Sequence, residues 1–205
     1  MLNVCRCFDE LAGDLKEGIT VVYGPQASGK STFCMMAAHE CAKTGKKVAY
    51  ITKERISFER LRQICREDFE ETIKSISFSF PRTIDGLERA VKNSRKLPNL
   101  GLLIIDTVNE YYWIEEERED CFIRVLSGAG MMCKELHIPA ILTASVYEKR
   151  GSFEPFGFRD LKRNAKLMVE LRLTGSKRAL VIREMDGKEK NLRREFVMCD
   201  SGIDE

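Results

Sequence analysis

The sequence has neither a large excess of charge of one sign nor a long apolar run. Its 34 lysines and arginines nearly balance 32 aspartates and glutamates, which gives a formal net charge of +2. The overall charge therefore provides no argument for nucleic-acid binding. No apolar stretch approaches the roughly 20 residues of a membrane-spanning helix, and the N-terminus lacks the apolar segment of a signal peptide. We expect no membrane contact and a cytoplasmic location.

The eight cysteines lack the spacing of a zinc site. Cys5 and Cys7 form a C-x-C pair, which is tighter than the usual zinc knuckle, and no second pair complements them. Free thiols that pack as small hydrophobic side chains in a reducing cytosol are the simpler interpretation. A redox or metal role for Cys5 and Cys7 stays open.

The chain is also free of internal repeats and low-complexity linkers, and its 205 residues suit one α/β domain over 1–205. Strand-like and helix-like segments alternate, which predicts a mostly parallel sheet flanked by helices. The predicted strands are 18–23, 47–51, 75–80, 102–106 and 138–144, and the predicted helices are 31–43, 57–66, 83–96 and 117–136. Three further strands, joined by turns at Gly175-Ser176 and Asp186-Gly187, predict a C-terminal antiparallel meander over 165–173, 178–183 and 194–199.

The strongest motif present is Gly24-Pro-Gln-Ala-Ser-Gly-Lys-Ser31, which fits the Walker A pattern. A strand precedes it and a helix follows it, as the motif requires. Its glycines allow backbone N–H groups to surround phosphate, and the helix adds its positive dipole end. Lys30 suits the β- and γ-phosphates, and the Ser31 hydroxyl suits Mg²⁺. We therefore predict ATP binding by Gly24, Pro25, Gln26, Ala27, Ser28, Gly29, Lys30, Ser31 and Thr32.

The segment Gly101-Leu-Leu-Ile-Ile-Asp106 has the Walker B form, an aliphatic strand that ends in aspartate. Many buried strands end in aspartate, but this one follows a Walker A loop. In such a chain the strand ends beside the phosphates. We predict that Asp106, together with Ser31, holds Mg²⁺.

Hydrolysis also needs a group that orients the attacking water, and Glu54 is the candidate. It follows the predicted strand 47–51 and should therefore lie at the carboxyl edge of the sheet. It reaches the γ-phosphate side if that strand neighbours the Walker A strand. The alternative is a solvated loop glutamate between Lys53 and Arg55.

The order of these motifs resembles the RecA/RadA recombinase superfamily, and most closely its short archaeal RadB-like paralogs. The resemblance covers nearly the whole chain and is carried by Phe8–Leu11 with Gly18–Pro25, by Val48–Glu54, by Leu102–Thr107 and by Thr143–Tyr147. It implies a RecA-like P-loop NTPase core with Glu54 as the catalytic carboxylate. It also implies a second DNA-binding loop after Tyr147, and a basic side chain, here Arg183, directed to the γ-phosphate of a neighbouring subunit.

The sequence departs from the family pattern at three places. Ala144-Ser145 stands where the family has Asn-Gln, and that glutamine links γ-phosphate sensing to the DNA loop. Serine is too short to span the same distance directly. Thr52 and Arg55 replace the aspartate and glycine that usually surround the catalytic glutamate. The chain also has no room for the extra N-terminal domain of full recombinases, so we expect no self-sufficient strand-exchange filament.

Charge is unevenly distributed along the chain. Residues 148–194 contain 14 Lys/Arg against 7 Asp/Glu, a local excess of +7. Cations interleaved with Phe153, Phe156 and Phe158 are typical of single-strand binding, although a solvated basic loop is the alternative. The predicted nucleic-acid contacts are Lys149, Arg150, Arg159, Lys162 and Arg163. Residues 109–120 combine Tyr111, Tyr112 and Trp113 with six acidic residues and Arg118, which favours a protein contact or a covered sheet edge.

Taken together, these features predict a RadB-type accessory protein of DNA repair and homologous recombination. It would bind ATP and Mg²⁺, hydrolyse ATP slowly, and bind single-stranded DNA and a recombinase or other protein partner, as a homo-oligomer if Arg183 acts across subunits. The alternative is a KaiC-like signalling or assembly ATPase that binds proteins and not DNA. A small-molecule P-loop kinase is disfavoured because no Arg-rich lid insertion separates the nucleotide motifs.

Overall fold

The computed structural model describes residues 2–111, 119–149, 152–175 and 177–204. The strands in this part of the chain are β1 (Gly18–Tyr23), β2 (Lys47–Thr52), β3 (Ile76–Ser79), β4 (Leu100–Asp106), β5 (Pro139–Ala144), β6 (Val146–Lys149), β7 (Ser152–Pro155), β8 (Ala165–Thr174), β9 (Lys177–Met185), β10 (Lys188–Cys199) and β11 (Gly202–Asp204). The α-helices are α1 (Arg6–Ala12), α2 (Lys30–Lys43), α3 (Phe58–Cys65), α4 (Phe69–Ser75), α5 (Ile84–Ser94), α6 (Glu119–Leu136) and α7 (Phe158–Asn164). Short 3-10 helices cover Arg66–Asp68 and Val108–Tyr111.

Nine strands form one mixed sheet in the order β11-β10-β9-β8-β1-β5-β4-β2-β3. The strands from β8 through β3 in this order are parallel, whereas β9, β10 and β11 continue from β8 as an antiparallel meander. Strands β6 and β7 form a separate antiparallel hairpin. The predicted fold class, an α/β sheet with a C-terminal meander, is confirmed.

Apolar side chains cover both faces of the sheet. On one face Phe8, Phe33 and Leu61, from α1, α2 and α3, belong to one buried cluster. On the other face Leu87, Phe122 and Leu161, from α5, α6 and α7, belong to a second buried cluster. Burying a side chain of this size contributes about 1.5–3 kcal/mol, so both helical layers are strongly anchored to the sheet.

Side-chain caps explain where two helices begin. The Ser57 hydroxyl accepts the backbone N–H of Arg60 at 3.2 Å, and the Thr83 hydroxyl accepts that of Gly86 at 3.1 Å. Caps of this kind contribute about 1 kcal/mol each. They set the starts of α3 and α5 within one residue of the predicted positions.

The structure adds elements that the sequence pattern did not predict: α1, α4, α7, the β6–β7 hairpin and β11. Each is short, so its periodicity is weak. Strand β10 begins at Lys188, earlier than the predicted 194, because its exposed first half carries no apolar alternation. The predicted helix 117–136 begins at Glu119 in the described residues; positions 117–118 lie outside them.

The cysteines are all free, and seven of the eight are buried. The Sγ atoms of Cys5 and Cys7 lie 3.5 Å apart. Among the described residues no group of three His, Cys, Asp or Glu side chains could hold a metal ion. In the same residues, no helix has both the length and the apolar character needed to cross a membrane.

Candidate nucleotide-binding site

A cavity of about 560 Å³ lies at the carboxyl edge of the parallel strands, where open α/β sheets bind their ligands. Its volume falls in the range of roughly 300–1,000 Å³ that is usual for small-molecule sites. It is lined by Gly24, Gln26, Ala27, Gly29, Lys30, Ser31, Thr32, Glu54, Thr107, Ser145, Val146 and Met198. The structure therefore brings most of the predicted Walker A residues together with the predicted catalytic carboxylate.

The conformation of the Walker A loop depends on its glycines. A Cβ atom on Gly24 would lie 2.2 Å from the carbonyl oxygen of Leu171 in β8, so no larger residue fits there. Gly29 caps α2 with a left-handed φ of 110°, which a residue with a Cβ rarely adopts. Gly24 lets the loop approach the backbone of β8 closely, and Gly29 supplies the left-handed conformation at which α2 begins.

Two cationic side chains hold the backbone carbonyls of this loop. The Lys30 ammonium donates to the carbonyl oxygens of Gly24 and Pro25 at 2.8 and 2.9 Å. From β9, Nε and Nη2 of Arg178 each donate to the carbonyl oxygen of Ala27 at 3.3 Å. Arg178 was not predicted to take part, because only the sheet order brings β9 beside the loop.

The surroundings of the loop fit a phosphate group. Burial lowers the pKa of Lys30, while the carboxylates of Asp106 and Glu54 raise it. The Ser28 side chain is fully buried, and its hydroxyl has no hydrogen-bond partner among the described residues. The Lys30 ammonium group and the N-terminus of α2, both at the cavity wall, form an environment suited to a polyanion.

Asp106, at the end of β4, is buried and held by two hydroxyls. Its Oδ2 accepts a hydrogen bond from Tyr50 at 2.8 Å, and its Oδ1 accepts one from Thr143 at 2.6 Å. The Thr143 hydroxyl also accepts the backbone N–H of Thr107 at 2.6 Å. Tyr50 and Thr143 orient the carboxylate, and neither was predicted from the sequence. The sequence could have indicated them, because both are polar residues on β2 and β5, the strands on either side of β4.

We expect Thr143→Val to lower the free energy of unfolding by about 1–3 kcal/mol, because it leaves buried polar groups of Asp106 and Thr107 without a partner. Because Asp106 loses its orientation, Mg²⁺-dependent nucleotide affinity should fall about 10–100-fold. Chemical denaturation and ATP titration at varied Mg²⁺ measure the two effects. The matched control is Thr20→Val, a buried threonine of β1 outside the cavity lining. Equal Mg²⁺ dependence in both variants would contradict the assignment.

Glu54 lines the cavity, although the condition stated for it, that its strand neighbours the Walker A strand, is not met. Strand β2 does not neighbour the Walker A strand β1, since β5 and β4 lie between them. Glu54 instead reaches the cavity from the loop after β2. Burial raises its pKa, and the nearby carboxylates of Glu110 and Asp106 raise it further. Glu110, which the sequence analysis did not identify, forms an ion pair with Lys53 at 3.1 Å.

Arg183 does not line the cavity. Its Nε donates to Glu170 Oε2 at 2.5 Å, and its Nη1 donates to Asn191 Oδ1 at 3.2 Å. Glu170 is only 3% exposed and also pairs with Arg172 at 2.8 Å. Within one chain Arg183 therefore neutralises a buried carboxylate, and its role toward a neighbouring subunit stays a prediction.

The predicted nucleic-acid contacts separate into three groups. Arg159 and Arg163 are exposed on α7, four residues apart. Lys162 lies between them but pairs with Glu184 at 2.7 Å and, more weakly, with Glu189 at 3.8 Å. The Lys149 side chain and Arg150 lie outside the described residues, as do Tyr112 and Trp113 of the acidic aromatic segment.

Ion pairs neutralise much of the basic meander. Besides Lys162, Arg172 and Arg183, the cations of β9 and β10 that pair with carboxylates are Lys177, Arg193 and Arg194. The excess of +7 already subtracts the acids of residues 148–194, and the carboxylates of Glu195 and Glu10, which lie outside that range, reduce it further.

Comparison with known proteins finds relatives that are RadB proteins. No family model matches the chain. It is 30% identical to a DNA repair and recombination protein RadB of Methanococcoides burtonii, over 99% of this chain and 96% of that protein. A RadB of Thermoplasma volcanium is also 30% identical, over 96% of this chain and 88% of that protein. The crystal structure of the RadB recombinase superposes with a TM-score of 0.84 and 25% identity, covering 100% of this chain and 99% of that one. The chain therefore belongs to the RadB family of DNA repair and recombination proteins, within the RecA-like ATPases.

Proposed function

We propose that this chain is an ATP-binding accessory protein of homologous recombination that binds single-stranded DNA and a recombinase partner. It would act in the cytoplasm as a single RecA-like domain over residues 1–205. The observation that carries the proposal is the cavity at the sheet edge, where the Walker A loop and Glu54 meet.

The residues of this cavity suit ATP with Mg²⁺. The Walker A loop and Lys30 would hold the phosphates, while Ser31 and the oriented Asp106 would hold Mg²⁺. When bound, Mg²⁺ supplies positive charge that stabilises the γ-phosphoryl group. Glu54 would orient the attacking water, and in a homo-oligomer Arg183 could exchange Glu170 for the phosphate of a neighbouring subunit. Slow hydrolysis is expected, because Thr52 and Arg55 replace the residues that usually flank this glutamate.

Single-stranded DNA would follow α7 and the β6–β7 hairpin. Arg159 and Arg163 lie four residues apart on α7, so they share one face of the helix, and neither forms an ion pair with a described carboxylate. Phe153 on the hairpin is 42% exposed and offers a surface for base stacking. Lys149, Arg150 and Lys162 would contribute additional charge.

We expect the double variant Arg159→Ala/Arg163→Ala to weaken binding of a labelled single-stranded oligonucleotide about tenfold at low salt. Losing two phosphate contacts should also flatten the slope of log affinity against log salt by about 1.4, since each contact to a single strand contributes about 0.7. Fluorescence anisotropy at several salt concentrations, with and without ATP–Mg²⁺, measures both quantities.

The matched control is Arg82→Ala/Arg89→Ala, which removes the same charge from exposed positions at and before α5. Equal losses in the two double variants would contradict a specific site on α7. If the folded wild-type protein binds no DNA at low salt with ATP present, the protein-binding ATPase becomes the better interpretation. The ion pairs between cations of β9 and β10 and nearby carboxylates are the observation that favours this alternative.

For the recombinase partner, the edge strand β3 offers an aromatic surface. Phe58 and Phe80 are 45% and 53% exposed. Both rings pack on Phe78, with centroid distances of 5.7 and 6.4 Å. Phe58 begins α3 and Phe80 follows β3, so both rings lie beside the edge strand, and exposed aromatic side chains of this kind are typical of protein interfaces.

A further inference from the structure

Asn109 is fully buried just beyond the Walker B strand, and its side chain bonds to both ends of the β6–β7 hairpin. Its Nδ2 donates to the carbonyl oxygen of Ser145 at 2.8 Å and to that of Phe156 at 3.2 Å. Its Oδ1 accepts the backbone N–H of Ser145 at 2.9 Å. One amide side chain therefore fixes the residue before β6 and the residue after β7.

The segment that Asn109 holds is also a wall of the nucleotide cavity. Ser145 and Val146 both line it. The two ends of the hairpin are further joined by the rings of Tyr147 and Phe156, whose centroids lie 4.3 Å apart. A shift of Ser145 caused by a ligand in the cavity would therefore move the hairpin as a unit.

Asn109 lies three residues after Asp106, on the 3-10 helix Val108–Tyr111. The start of this segment is itself held to β5, because the Thr107 N–H and Asp106 both bond to the Thr143 hydroxyl. The Walker B carboxylate and the hairpin are thus joined by one short, buried path. The path uses the backbone of residue 145, so it does not need a long side chain at that position.

We propose that Asn109 is a positioning residue that couples occupancy of the nucleotide cavity to DNA binding by the β6–β7 hairpin. The inference depends on the proposed function, since it needs both ligands. A structural role alone would lower stability in Asn109 variants, but it would leave the effect of ATP on DNA affinity unchanged. Coupling is the ratio of the DNA affinities with and without ATP. We expect this ratio to fall when the hydrogen bonds of Asn109 are removed.

The test measures the dissociation constant of a fluorescein-labelled oligothymidine with and without saturating ATP–Mg²⁺. In the wild-type protein the two constants should differ by about fivefold or more, which corresponds to roughly 1 kcal/mol of coupling. Asn109→Ala should reduce the ratio below about twofold while ATP still binds. The control is Asn164→Ala, which removes the hydrogen bond from Asn164 Nδ2 to the carbonyl oxygen of Asp160 at 2.8 Å in α7 and should keep the wild-type ratio. A wild-type ratio of one, or an unchanged ratio in a folded Asn109→Ala protein, would overturn the proposal.

Hydrogen exchange keeps the inference testable if Asn109→Ala does not fold. In the wild-type protein, ATP–Mg²⁺ should slow amide exchange in residues 145–156 about fivefold or more. Unchanged exchange in this segment at saturating ATP would overturn the coupling. Failure of the proposed function gives a different result, namely no binding of ATP or no binding of DNA by the wild-type protein.

Discussion

Lys30→Ala is expected to weaken ATP binding by at least about 100-fold. The ammonium group is buried next to the Walker A loop and donates to two of its carbonyl oxygens. In an ATP complex the same group would form charge-assisted hydrogen bonds to phosphate, each contributing roughly 1.5–3 kcal/mol. Losing two of them accounts for the expected change, which isothermal titration calorimetry with ATP–Mg²⁺ measures.

The control for this variant is Lys43→Ala at the other end of α2. Lys43 pairs with Glu40 at 2.9 Å on the surface, so its removal changes the same charge and leaves the cavity intact. Burial lowers the pKa of Lys30, so ionised Lys30 does not favour the folded state. Lys30→Ala should therefore unfold at nearly the wild-type temperature without nucleotide. ATP affinity equal to that of wild type in a folded Lys30→Ala protein would rule out the Walker A assignment.

The sequence predicted the parts of the fold that depend on local patterns. The strand before the Walker A loop was predicted at 18–23 and is observed at Gly18–Tyr23, because continuous apolar runs bounded by glycine mark buried strands. The turn at Asp186-Gly187 was also predicted, and both residues have positive φ angles, 50° and 73°. A two-residue hairpin turn of this type requires positive φ at both central residues, and Asp186-Gly187 meets that requirement.

Contacts between distant residues were not predictable in this way. The Tyr50–Asp106 and Asn109–Ser145 hydrogen bonds join residues 56 and 36 positions apart. They depend on the order of the strands, which periodicity does not specify. The same limitation applies to Glu54, whose access to the cavity does not need β2 beside β1, since the carboxyl edge of a sheet can bring residues together across intervening strands.

Charge counting was incomplete for a related reason. Lys162 was predicted to contact nucleic acid, yet it pairs with Glu184, a residue 22 positions later on β9 that is 7% exposed. A local count does not show which cation pairs with which acid, whereas a buried carboxylate needs a counter-charge. Arg159 and Arg163, on the same helix, are exposed and form no ion pair with a described carboxylate.

Glu54→Gln should suppress ATP hydrolysis by about 100-fold or more while ATP affinity changes less than about threefold. A positioned general base contributes roughly 10²–10⁴ to the rate, and the amide keeps the size of the side chain but does not accept the proton. Burial and the carboxylates of Glu110 and Asp106 raise the pKa of Glu54. Wild-type turnover should therefore fall as the pH is lowered through that raised pKa. Steady-state phosphate release across pH, with calorimetry for binding, measures these effects.

The same pKa shift fixes the sign of a stability effect. Because the pKa is raised in the folded state, ionised Glu54 destabilises the protein at neutral pH, and the penalty disappears below the ordinary glutamate pKa. Glu54→Gln should therefore have a free energy of unfolding that is higher than that of wild type at pH 7.5, by less than about 1 kcal/mol because the group is exposed. The difference should vanish near pH 4. The control is Glu59→Gln, an exposed glutamate in the first turn of α3. Unchanged hydrolysis in Glu54→Gln would remove this residue from the mechanism, because a water-orienting carboxylate and an amide of the same shape cannot support the same rate.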